Sequence, residues 1–326
     1  MTGETANVAT DLGVPETTPR RFEVLVCTSP KAGSGYGRDS IARLLELLHH
    51  RGIVADVTTD IARVRDAAHS RSPDKDPLII VTAGGDGTLA LVAQNTPAST
   101  VLLPMPLGTE NLLARYFGFT ADPPSMLKTM MSGRDHAIDA GVANGRLFLV
   151  MMTCGFDAEV VRALHLRRRG HINRFSYAWP ILRTITRYAF PPLNVTLQLA
   201  DGTTTRVTDS PETIVRWAMV FNLPRYAASL RIETSAHADD GRLNFCGLQN
   251  GSILSGLRYL GGIVTGRHIH WADVCRHEIV GCRITSPVRV SYQIDGDYAG
   301  RLPIDVSILP KHITLRIPTT QRDHVH

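Results

Sequence analysis

The segment Leu78-Ile-Ile-Val-Thr-Ala-Gly-Gly-Asp-Gly-Thr88 joins a run of apolar and β-branched residues directly to a glycine-rich loop. The run is typical of a buried strand, and the loop is expected to lead into a helix. Glycines let main-chain N–H groups approach phosphate oxygens, and a helix start adds the positive end of a dipole. The pattern favours a phosphate-binding turn, although glycine-rich turns after strands also occur without a ligand. Asp86 bears on the choice, because a carboxylate among such amides is repulsive unless it holds a metal ion or takes up a proton.

The residues on both sides of this segment repeat an alternation of strand and helix. Apolar, β-rich runs predict further strands at residues 22–28, 53–58 and 101–105. Apolar residues at helical spacing follow the first of these runs and predict a helix over residues 41–48. Strands that alternate with helices indicate a doubly wound, mainly parallel sheet. We therefore predict an α/β domain over residues 21–140.

The second half of the sequence has a different pattern. Asn144-Gly145 and Asp201-Gly202 each separate two apolar runs, which is the signal of a two-residue hairpin. Further strands are predicted at residues 214–221, 242–248, 288–294 and 304–309. The pattern predicts a predominantly antiparallel, sandwich-like β domain over residues 141–318. Residues 1–20 are expected to form a disordered leader, and residues 319–326 a tail.

Composition limits the classes of protein that need to be considered. The chain has 326 residues, 43% of them hydrophobic and 20% charged, which is enough for two domains with sizeable cores. No uncharged apolar run reaches about 18 residues, so a membrane-spanning helix is not expected. Residues 1–20 lack the apolar segment of a signal peptide. The five cysteines include no C-x-x-C pair and are expected to be reduced thiols of a cytoplasmic protein.

Two further loops follow predicted strands of the α/β domain. The loop after the first strand contains Ser29, Lys31 and Gly33, and the loop after residues 101–105 contains Gly108, Thr109 and Asn111. We expect Gly108 and Thr109 to open a helix through Tyr116, whose free N–H groups would point at the edge of the sheet. Because ligands of such sheets bind at the carboxyl ends of the strands, the three loops are predicted to converge on one nucleotide-binding crevice.

A basic segment lies within the second half. Between Arg162 and Ala200 the sequence contains seven arginines and neither Asp nor Glu. Within this segment apolar and aromatic residues recur at helical spacing, and Pro180 must start or kink the helix. A basic amphipathic helix suits an anionic membrane surface; packing on the β domain and contact with nucleotide phosphates are alternatives. No recognisable nucleic-acid-binding module accompanies the arginines, so nucleic acid is not an expected partner.

Five motifs occur in order along residues 22–318. They are the loop at residues 29–35, the Gly84–Thr88 signature, Pro106-Leu-Gly-Thr109, Asp239-Asp-Gly241 and Asp295-Gly-Asp297. In this ordered set the chain resembles the diacylglycerol kinase catalytic-domain family, which includes bacterial soluble lipid kinases and the sphingosine and ceramide kinases. The resemblance implies a nucleotide-binding α/β domain, a β-rich lipid-binding domain and an active site in the cleft between them. It also implies Mg²⁺-dependent transfer of the γ-phosphate of ATP to a lipid hydroxyl, with diacylglycerol as the default acceptor.

The resemblance further implies roles for individual residues. Asp295 and Asp297 are the candidates for activating the acceptor hydroxyl and Asp86 for organising Mg²⁺, with an exchange of these roles left open; Asp295-Gly296 also fits a plain hairpin turn. Asp240 would give a carboxylate, and His237 and Arg242 main-chain carbonyls, to a structural Mg²⁺ site. ATP or its metal would be bound by Ser29, Lys31, Gly33, Thr59, Gly84, Gly85, Asp86, Gly87, Thr88, Gly108, Thr109 and Asn111.

Two positions depart from the pattern of that family. Ser29 stands where the family usually has Asn, and Asp297 stands where it usually has Glu. The alternatives are a sphingoid-base, ceramide or other lipid acceptor, a soluble kinase of the NAD type, and a catalytically silent nucleotide-binding membrane module. The expected partners are a lipid substrate and an anionic membrane surface, contacted peripherally from the cytoplasm. A homodimer is left open beside a monomer.

Overall fold

The computed structural model describes residues 22–29, 36–71, 76–166, 188–207, 214–224, 230 and 232–319. The helices are α1 (Tyr36–His50), α2 (Ile61–His69), α3 (Asp86–Gln94), α4 (Leu112–Tyr116), α5 (Pro123–Ser132), α6 (Phe156–Leu166) and α7 (Ile253–Thr265), with a 3₁₀ turn at His268–His270. The strands are β1 (Glu23–Thr28), β2 (Ala55–Thr58), β3 (Leu78–Gly84), β4 (Val101–Pro106), β5 (Arg134–Ala143), β6 (Arg146–Phe148), β7 (Met151–Cys154), β8 (Asn194–Gln198), β9 (Thr204–Arg206), β10 (Trp217–Phe221), β11 (Leu243–Leu248), β12 (Val274–Ile279), β13 (Gly281–Thr285), β14 (Ser291–Ile294), β15 (Asp297–Arg301) and β16 (Ile304–Ile317). The expected leader, and all but the first residue of the expected tail, lie outside the described residues.

The first half folds around a parallel sheet. Its strand order is β2-β1-β3-β4, and each of these pairs is parallel. All residues of β3 are buried, as expected for a central strand covered on both faces. Helix α1 contacts α5, and α2 contacts α3, which is the arrangement of a doubly wound sheet. The predicted α/β architecture is confirmed.

The second half folds as an antiparallel sandwich. One layer has the strand order β12-β11-β10-β7-β14-β15. The other layer is formed by β13, β8 and β9 together with the first part of β16. Apolar residues of both layers meet in a separate core that includes Ala218, Val220, Phe245, Leu197 and Ile284. The predicted sandwich-like domain is confirmed.

The strands β5 and β16 connect the two halves of the molecule. The first part of β16 pairs antiparallel with β13, whereas Thr314 and Leu315 near its end pair parallel with β4. The irregularity between these parts contains Lys311, which has φ 50°. The chain therefore returns to the parallel sheet at its last strand. The boundary near residue 140 stays a prediction, and β16 joins strands of both halves into one continuous sheet.

Both predicted hairpins are present, but only the one at Asn144-Gly145 has a two-residue turn. Between β8 and β9 the Leu199 N–H donates to the Thr203 carbonyl at 2.9 Å, so the loop has three residues, Ala200 to Gly202, and the prediction of a two-residue turn there is wrong. Asn144 and Gly145 have φ 48° and 79° and join β5 to β6, and Gly202, with φ 82°, lies between β8 and β9. A two-residue turn with positive φ matches the right-handed twist of the flanking strands. Within the described ranges, no helix combines the length and the hydropathy that a bilayer crossing requires.

Candidate active site

Loops from four parallel strands meet at one edge of the sheet. The register pairs Thr58 with Cys27, Thr28 with Ala83, and Gly84 with Pro106, so all four strands end at the same level. Ser29 and Thr59 directly follow β1 and β2 at this edge. The predicted nucleotide residues Lys31 and Gly33 lie outside the described residues.

Gly84–Thr88, which we call the glycine loop, comprises the end of β3, the N-cap Gly85 and the first turn of α3. It packs backbone against backbone with the loop after β4. A Cβ added to Gly108 would lie 2.7 Å from the Cα of Gly85, and a Cβ on Gly84 would lie 2.3 Å from Thr88 Oγ1. Gly84 and Gly108 are therefore required by close packing within the protein. Gly87 differs, because the nearest atom to its added Cβ is Asp297 Oδ2 at 3.7 Å. Of these glycines, Gly87 faces the other half of the molecule.

The loop after β4 is closed by Asn111. The Asn111 side chain accepts a hydrogen bond from the Gly108 N–H at 3.0 Å and donates one to the Gly108 carbonyl at 2.8 Å. Asn111 itself has φ 48°, in the left-handed region, so it cannot be part of a right-handed helix. Helix α4 begins only at Leu112, so the prediction that Gly108 and Thr109 open this helix is wrong. Thr109 is an exposed residue of the turn.

The Asp86 carboxylate accepts hydrogen bonds from the main-chain amides at the start of α4. Its Oδ2 accepts from the Leu112 N–H at 2.8 Å and its Oδ1 from the Leu113 N–H at 3.1 Å. Burial raises the pKa of the Asp86 carboxyl, and the two amide hydrogen bonds and the charge of Arg115 oppose that effect. The expectation that the N–H groups of this helix are free for a phosphate is therefore wrong for these two amides. The carboxylate instead links α3 to α4.

A buried hydroxyl lies beneath the same loop. Thr82, on β3, lines a small recess together with Gly85, Asp86 and Asn111. Its Oγ1 atom has no hydrogen-bond partner within the described residues. A buried polar atom without a partner is costly unless water or a ligand satisfies it. The recess thus offers a donor at the floor of the glycine loop.

The motif Asp295-Gly296-Asp297 forms the turn between β14 and β15, which we call the acidic turn. Asp295 and Gly296 have φ 47° and 85°, so the plain-hairpin interpretation holds together with the functional one. The Asp295 carboxylate accepts N–H hydrogen bonds of 2.8 to 2.9 Å from Leu149, Val150 and Met151. The turn is thereby fastened to the chain just before β7.

The environment of Asp295 places the two halves of the site opposite each other. Burial raises the pKa of Asp295 to about 6. The three amide hydrogen bonds lower the pKa, and the charge of Asp86 contributes to raising it. The Asp86 and Asp295 carboxylates are therefore close enough to interact electrostatically. Together with the 3.7 Å approach of Asp297 to the Cβ position of Gly87, this brings the two motifs next to each other, and we call the space between them the groove.

The predicted structural metal site lies at the turn before β11. Asp240 Oδ1 accepts from the Arg242 N–H at 2.9 Å, and buried Asp139 accepts from the Gly241 N–H at 2.6 Å. Burial raises the pKa of Asp240. No group of three or more His, Cys, Asp and Glu side chains that could hold a metal occurs in the described part of the chain. The predicted site uses one carboxylate and the carbonyls of His237 and Arg242, and it stays a prediction.

The family models divide the chain as the fold does. A model described as the diacylglycerol kinase catalytic domain matches residues 23–143. A second model, the YegS C-terminal NAD kinase beta sandwich-like domain, matches residues 150–317, which is more than half of the chain. The chain belongs to the diacylglycerol kinase catalytic-domain family. It is thus a member of a family of lipid kinases.

Individual relatives agree with this assignment. A diacylglycerol kinase of Staphylococcus haemolyticus is 24% identical over 258 residues, covering 76% of this chain and 73% of that protein. An uncharacterized Synechocystis protein is 20% identical over 278 residues, covering 81% of this chain, which spans only 60% of that relative's length. A putative diacylglycerol kinase from Bacillus anthracis shares the fold, with a TM-score of 0.69, 19% identity and coverage of 94% of this chain and 99% of that structure.

The structure adds a residue to the site that the sequence did not indicate. Gln293 is fully buried on β14, and its Oε1 accepts from the Gly296 N–H at 2.7 Å. Its Nε2 donates to Thr153 Oγ1 at 3.0 Å, and Thr153 in turn donates to Asp157 on α6. Gln293 therefore connects the acidic turn of this kinase-family chain to the interior of its second half. No pattern in the sequence marks a single glutamine in an apolar strand.

The basic segment is almost entirely outside the described residues. Of its seven arginines, only Arg162 has a described side chain, and it forms an ion pair with Glu159 at 2.8 Å. The apolar face of the predicted amphipathic helix runs from Phe175 to Ala189, and of that range only Tyr188 and Ala189 are described; neither is helical.

Proposed function

We propose that this chain is an ATP- and Mg²⁺-dependent lipid kinase that transfers the γ-phosphoryl group to a lipid hydroxyl, with diacylglycerol as the default acceptor. The proposal rests on the groove between the glycine loop and the acidic turn. Gly87 of the glycine loop lies opposite Asp297 of the acidic turn, and the charge of Asp86 contributes to raising the pKa of Asp295. A phosphoryl donor on one side and a proton acceptor on the other are what this reaction requires.

The nucleotide side of the groove fits a polyphosphate. Gly87 has open space where a side chain would stand, apart from the Asp297 carboxylate, and the Thr82 hydroxyl is a donor without a partner in the described part of the chain. The tight contact of Gly85 with Gly108 keeps the two loops fixed relative to each other. Mg²⁺ bound with the nucleotide would neutralise charge on the phosphates. Asp297, across from Gly87, is the carboxylate that we assign to holding it.

The acceptor side needs a base. A lipid hydroxyl is a poor nucleophile, and a carboxylate within hydrogen-bond reach accepts its proton. Asp295 suits this role, because a pKa of about 6 leaves it ionised near neutral pH while keeping it basic. A carboxylate offers about four acceptor positions, and three are used by the main-chain amides of Leu149, Val150 and Met151. The remaining position, on Oδ2, is the one we assign to the proton.

The test is a direct assay. The purified chain is incubated with labelled ATP, Mg²⁺ and detergent micelles that contain diacylglycerol, a sphingoid base or ceramide, and the products are identified by mass spectrometry. We expect one phosphorylated lipid, whose formation stops when Mg²⁺ is chelated. Nucleotide binding without turnover of any lipid would instead indicate a catalytically silent module.

A second acceptor belongs in the same assay. The model that matches residues 150–317 is described as NAD kinase beta sandwich-like, and the glycine signature is shared with NAD kinases. NAD is therefore offered in place of the lipid. Phosphorylation of NAD in the absence of any lipid would overturn the lipid kinase proposal.

A further inference from the structure

The exposed side of helix α7 is apolar. Among the described residues, nine large hydrophobic side chains are exposed, and four of them lie on this helix: Leu254 (79%), Val264 (69%), Leu257 (48%) and Ile253 (43%). With about 100° between successive residues, these four and Gly261 occupy one continuous arc. The opposite arc is buried through Gly256, Tyr259, Gly262 and Ile263. A surface helix normally exposes charged residues, and contiguous exposed apolar surface marks an interaction site.

The net charge beside this arc is positive. Between Gly241 and Ala272 the sequence contains no Asp or Glu. Arg258, at the edge of the arc, is paired with Asp273 and stacked over Trp271 at 3.9 Å. Arg267 and His270 follow the helix and are exposed, and Arg267 forms no ion pair within the described ranges. Arg258 and Asp273 offset each other, so Arg267 supplies the net positive charge beside the apolar arc.

Phe190 packs beside the start of α7. A Cβ added to Gly251, two residues before the helix, would lie 2.7 Å from the Cβ of Phe190. Phe190 comes three residues after residues 167–187, which lie outside the described residues and whose sequence contains six arginines and no Asp or Glu.

We propose that the exposed face of α7 docks the protein onto an anionic lipid surface. Leu254, Leu257 and Val264 would lie among the acyl chains, and Arg267 and His270 at the level of the headgroups. Interfacial helices bind in this way, through buried apolar area together with attraction to anionic lipids. The inference rests on the proposed function in one respect, since a kinase of membrane lipids has to reach its acceptor at a bilayer.

The experiment compares two valines of equal exposure in the full chain. Val264 on α7 is 69% exposed, and Val54, before β2, is 70% exposed. Flotation is measured with vesicles of phosphatidylcholine mixed with phosphatidylglycerol, and with vesicles of phosphatidylcholine alone. We expect Val264→Glu to weaken binding to the mixed vesicles about tenfold or more, because burial of one such side chain is worth at least that factor. Val54→Glu should bind as the unmodified chain does, and Arg267→Gln should bind about fivefold more weakly.

The other outcomes overturn the proposal. If Val264→Glu binds the mixed vesicles as well as Val54→Glu does, α7 is not the docking face, and residues 167–187 or another surface take that role. If the chain is a dimer by analytical ultracentrifugation, and Val264→Glu dissociates it without changing vesicle binding, the face is covered by a second copy.

A soluble acceptor separates this inference from the proposed function. With a short-chain diacylglycerol below its micellar concentration, Val264→Glu and the unmodified chain should turn over equally. Turnover in both, with vesicle binding indifferent to Val264→Glu, would reject docking by α7 and leave the kinase proposal standing. Absence of lipid phosphorylation, with vesicle binding that still depends on Val264, would reject the kinase proposal and leave docking by α7 standing.

Discussion

The two sides of the groove hold their carboxylates by the same means and with different results. On the nucleotide side Asp86 accepts two amide hydrogen bonds from the start of α4, and on the acceptor side Asp295 accepts three from the chain before β7. Both pKa values are raised by burial. Asp86 joins two loops of one sheet edge, which makes the glycine loop rigid. Asp295 holds the acidic turn, which approaches this loop from the other half. One of its hydrogen-bond acceptor positions is left after the three amide bonds.

The comparison teaches that an acidic residue in a glycine signature is not by that fact a metal ligand. Both oxygens of Asp86 accept main-chain hydrogen bonds from α4, and Asp297 Oδ2 is the atom nearest to the Cβ position of Gly87. The division of labour we infer is a positioning role for Asp86, a metal role for Asp297 and a proton-accepting role for Asp295. The predictions below test that division.

The largest effect is expected for Asp295→Asn. The change removes the negative charge and the base, so turnover should fall by roughly 10²–10⁴-fold, the usual contribution of general base catalysis. The matched control is Asp201→Asn, because Asp201-Gly202 is the same dipeptide in an exposed hairpin between β8 and β9. The control should keep full turnover. Nucleotide binding and thermal melting of both variants show whether the fold is kept, and unchanged turnover in Asp295→Asn would refute the assigned role.

The next effect concerns the glycines on the nucleotide side. In Gly108→Ala the new Cβ would meet the Gly85 backbone at 2.7 Å, and backbone cannot move aside cheaply. We expect a loss of about 1–3 kcal/mol in the free energy of unfolding, as for other overpacked sites, together with weaker ATP binding. Chemical denaturation and calorimetric titration with ATP measure the two quantities.

The control for Gly108→Ala is Gly261→Ala. Gly261 lies in the middle of α7, and its added Cβ would meet nothing within 4 Å. Alanine is the better helix former, so this variant should be as stable as the unmodified chain or more stable by roughly 0.5–1 kcal/mol. Equal destabilisation by both substitutions would show that the contact between Gly85 and Gly108 is not what requires a glycine at position 108.

The raised pKa of Asp295 predicts that activity and stability respond to pH in opposite directions. Below a pKa of about 6 the base is protonated, so kcat/KM should fall about tenfold for each further pH unit. The folded state takes up this proton more readily than the unfolded state, whose Asp has its ordinary pKa near 4. The contribution of Asp295 to stability therefore improves as pH falls through the window from about 6 to 4.

Two measurements check this pair of trends. A pH–rate profile gives the first, and the second is the difference in melting temperature between the unmodified chain and Asp295→Asn across the same window, which cancels the titration of other groups. That difference should shift in favour of the unmodified chain toward low pH. A shift in the opposite direction would mean that Asp295 is stabilised as a carboxylate and is a poor base.

The glycine loop could be predicted from the sequence because its signals are local. A buried strand, a glycine run and the following helix all lie between Leu78 and Gln94, and the hairpin at Asn144-Gly145 is equally local. The partners of the two carboxylates could not be predicted in this way. Asp86 binds amides 26 and 27 residues away, and Asp295 binds amides 144 to 146 residues away. Such pairs are fixed only when the sheets assemble.

Helix α7 could not be predicted from the sequence for a different reason. It is apolar on its buried and on its exposed face, so it lacks the polar stripe by which a surface helix is recognised, and Gly261 and Gly262 lie within it. The same lack of a polar stripe that hides the helix in the sequence marks its surface for docking once the fold is known.

The smallest effect is expected at Gln293, where sequence and structure differ most in what they reveal. Gln293→Leu removes the acceptor of the Gly296 N–H, in a part-buried setting, and the donor to Thr153 Oγ1, in a buried one. The loss of a hydrogen bond with its partner left unsatisfied costs about 1–3 kcal/mol. Because the amides of residues 149–151 still hold Asp295, we expect kcat to fall only severalfold and the KM for ATP to stay unchanged.

Gln293→Glu is the informative companion to this variant. It keeps an acceptor for the Gly296 N–H and loses the donor to Thr153, so turnover should lie between those of Gln293→Leu and the unmodified chain. A role confined to stability would lower the melting temperature of both variants without this graded change in kcat. The graded series would show that the acidic turn is positioned from within the second half, in contrast to the glycine loop, which is positioned by its own neighbours at the sheet edge.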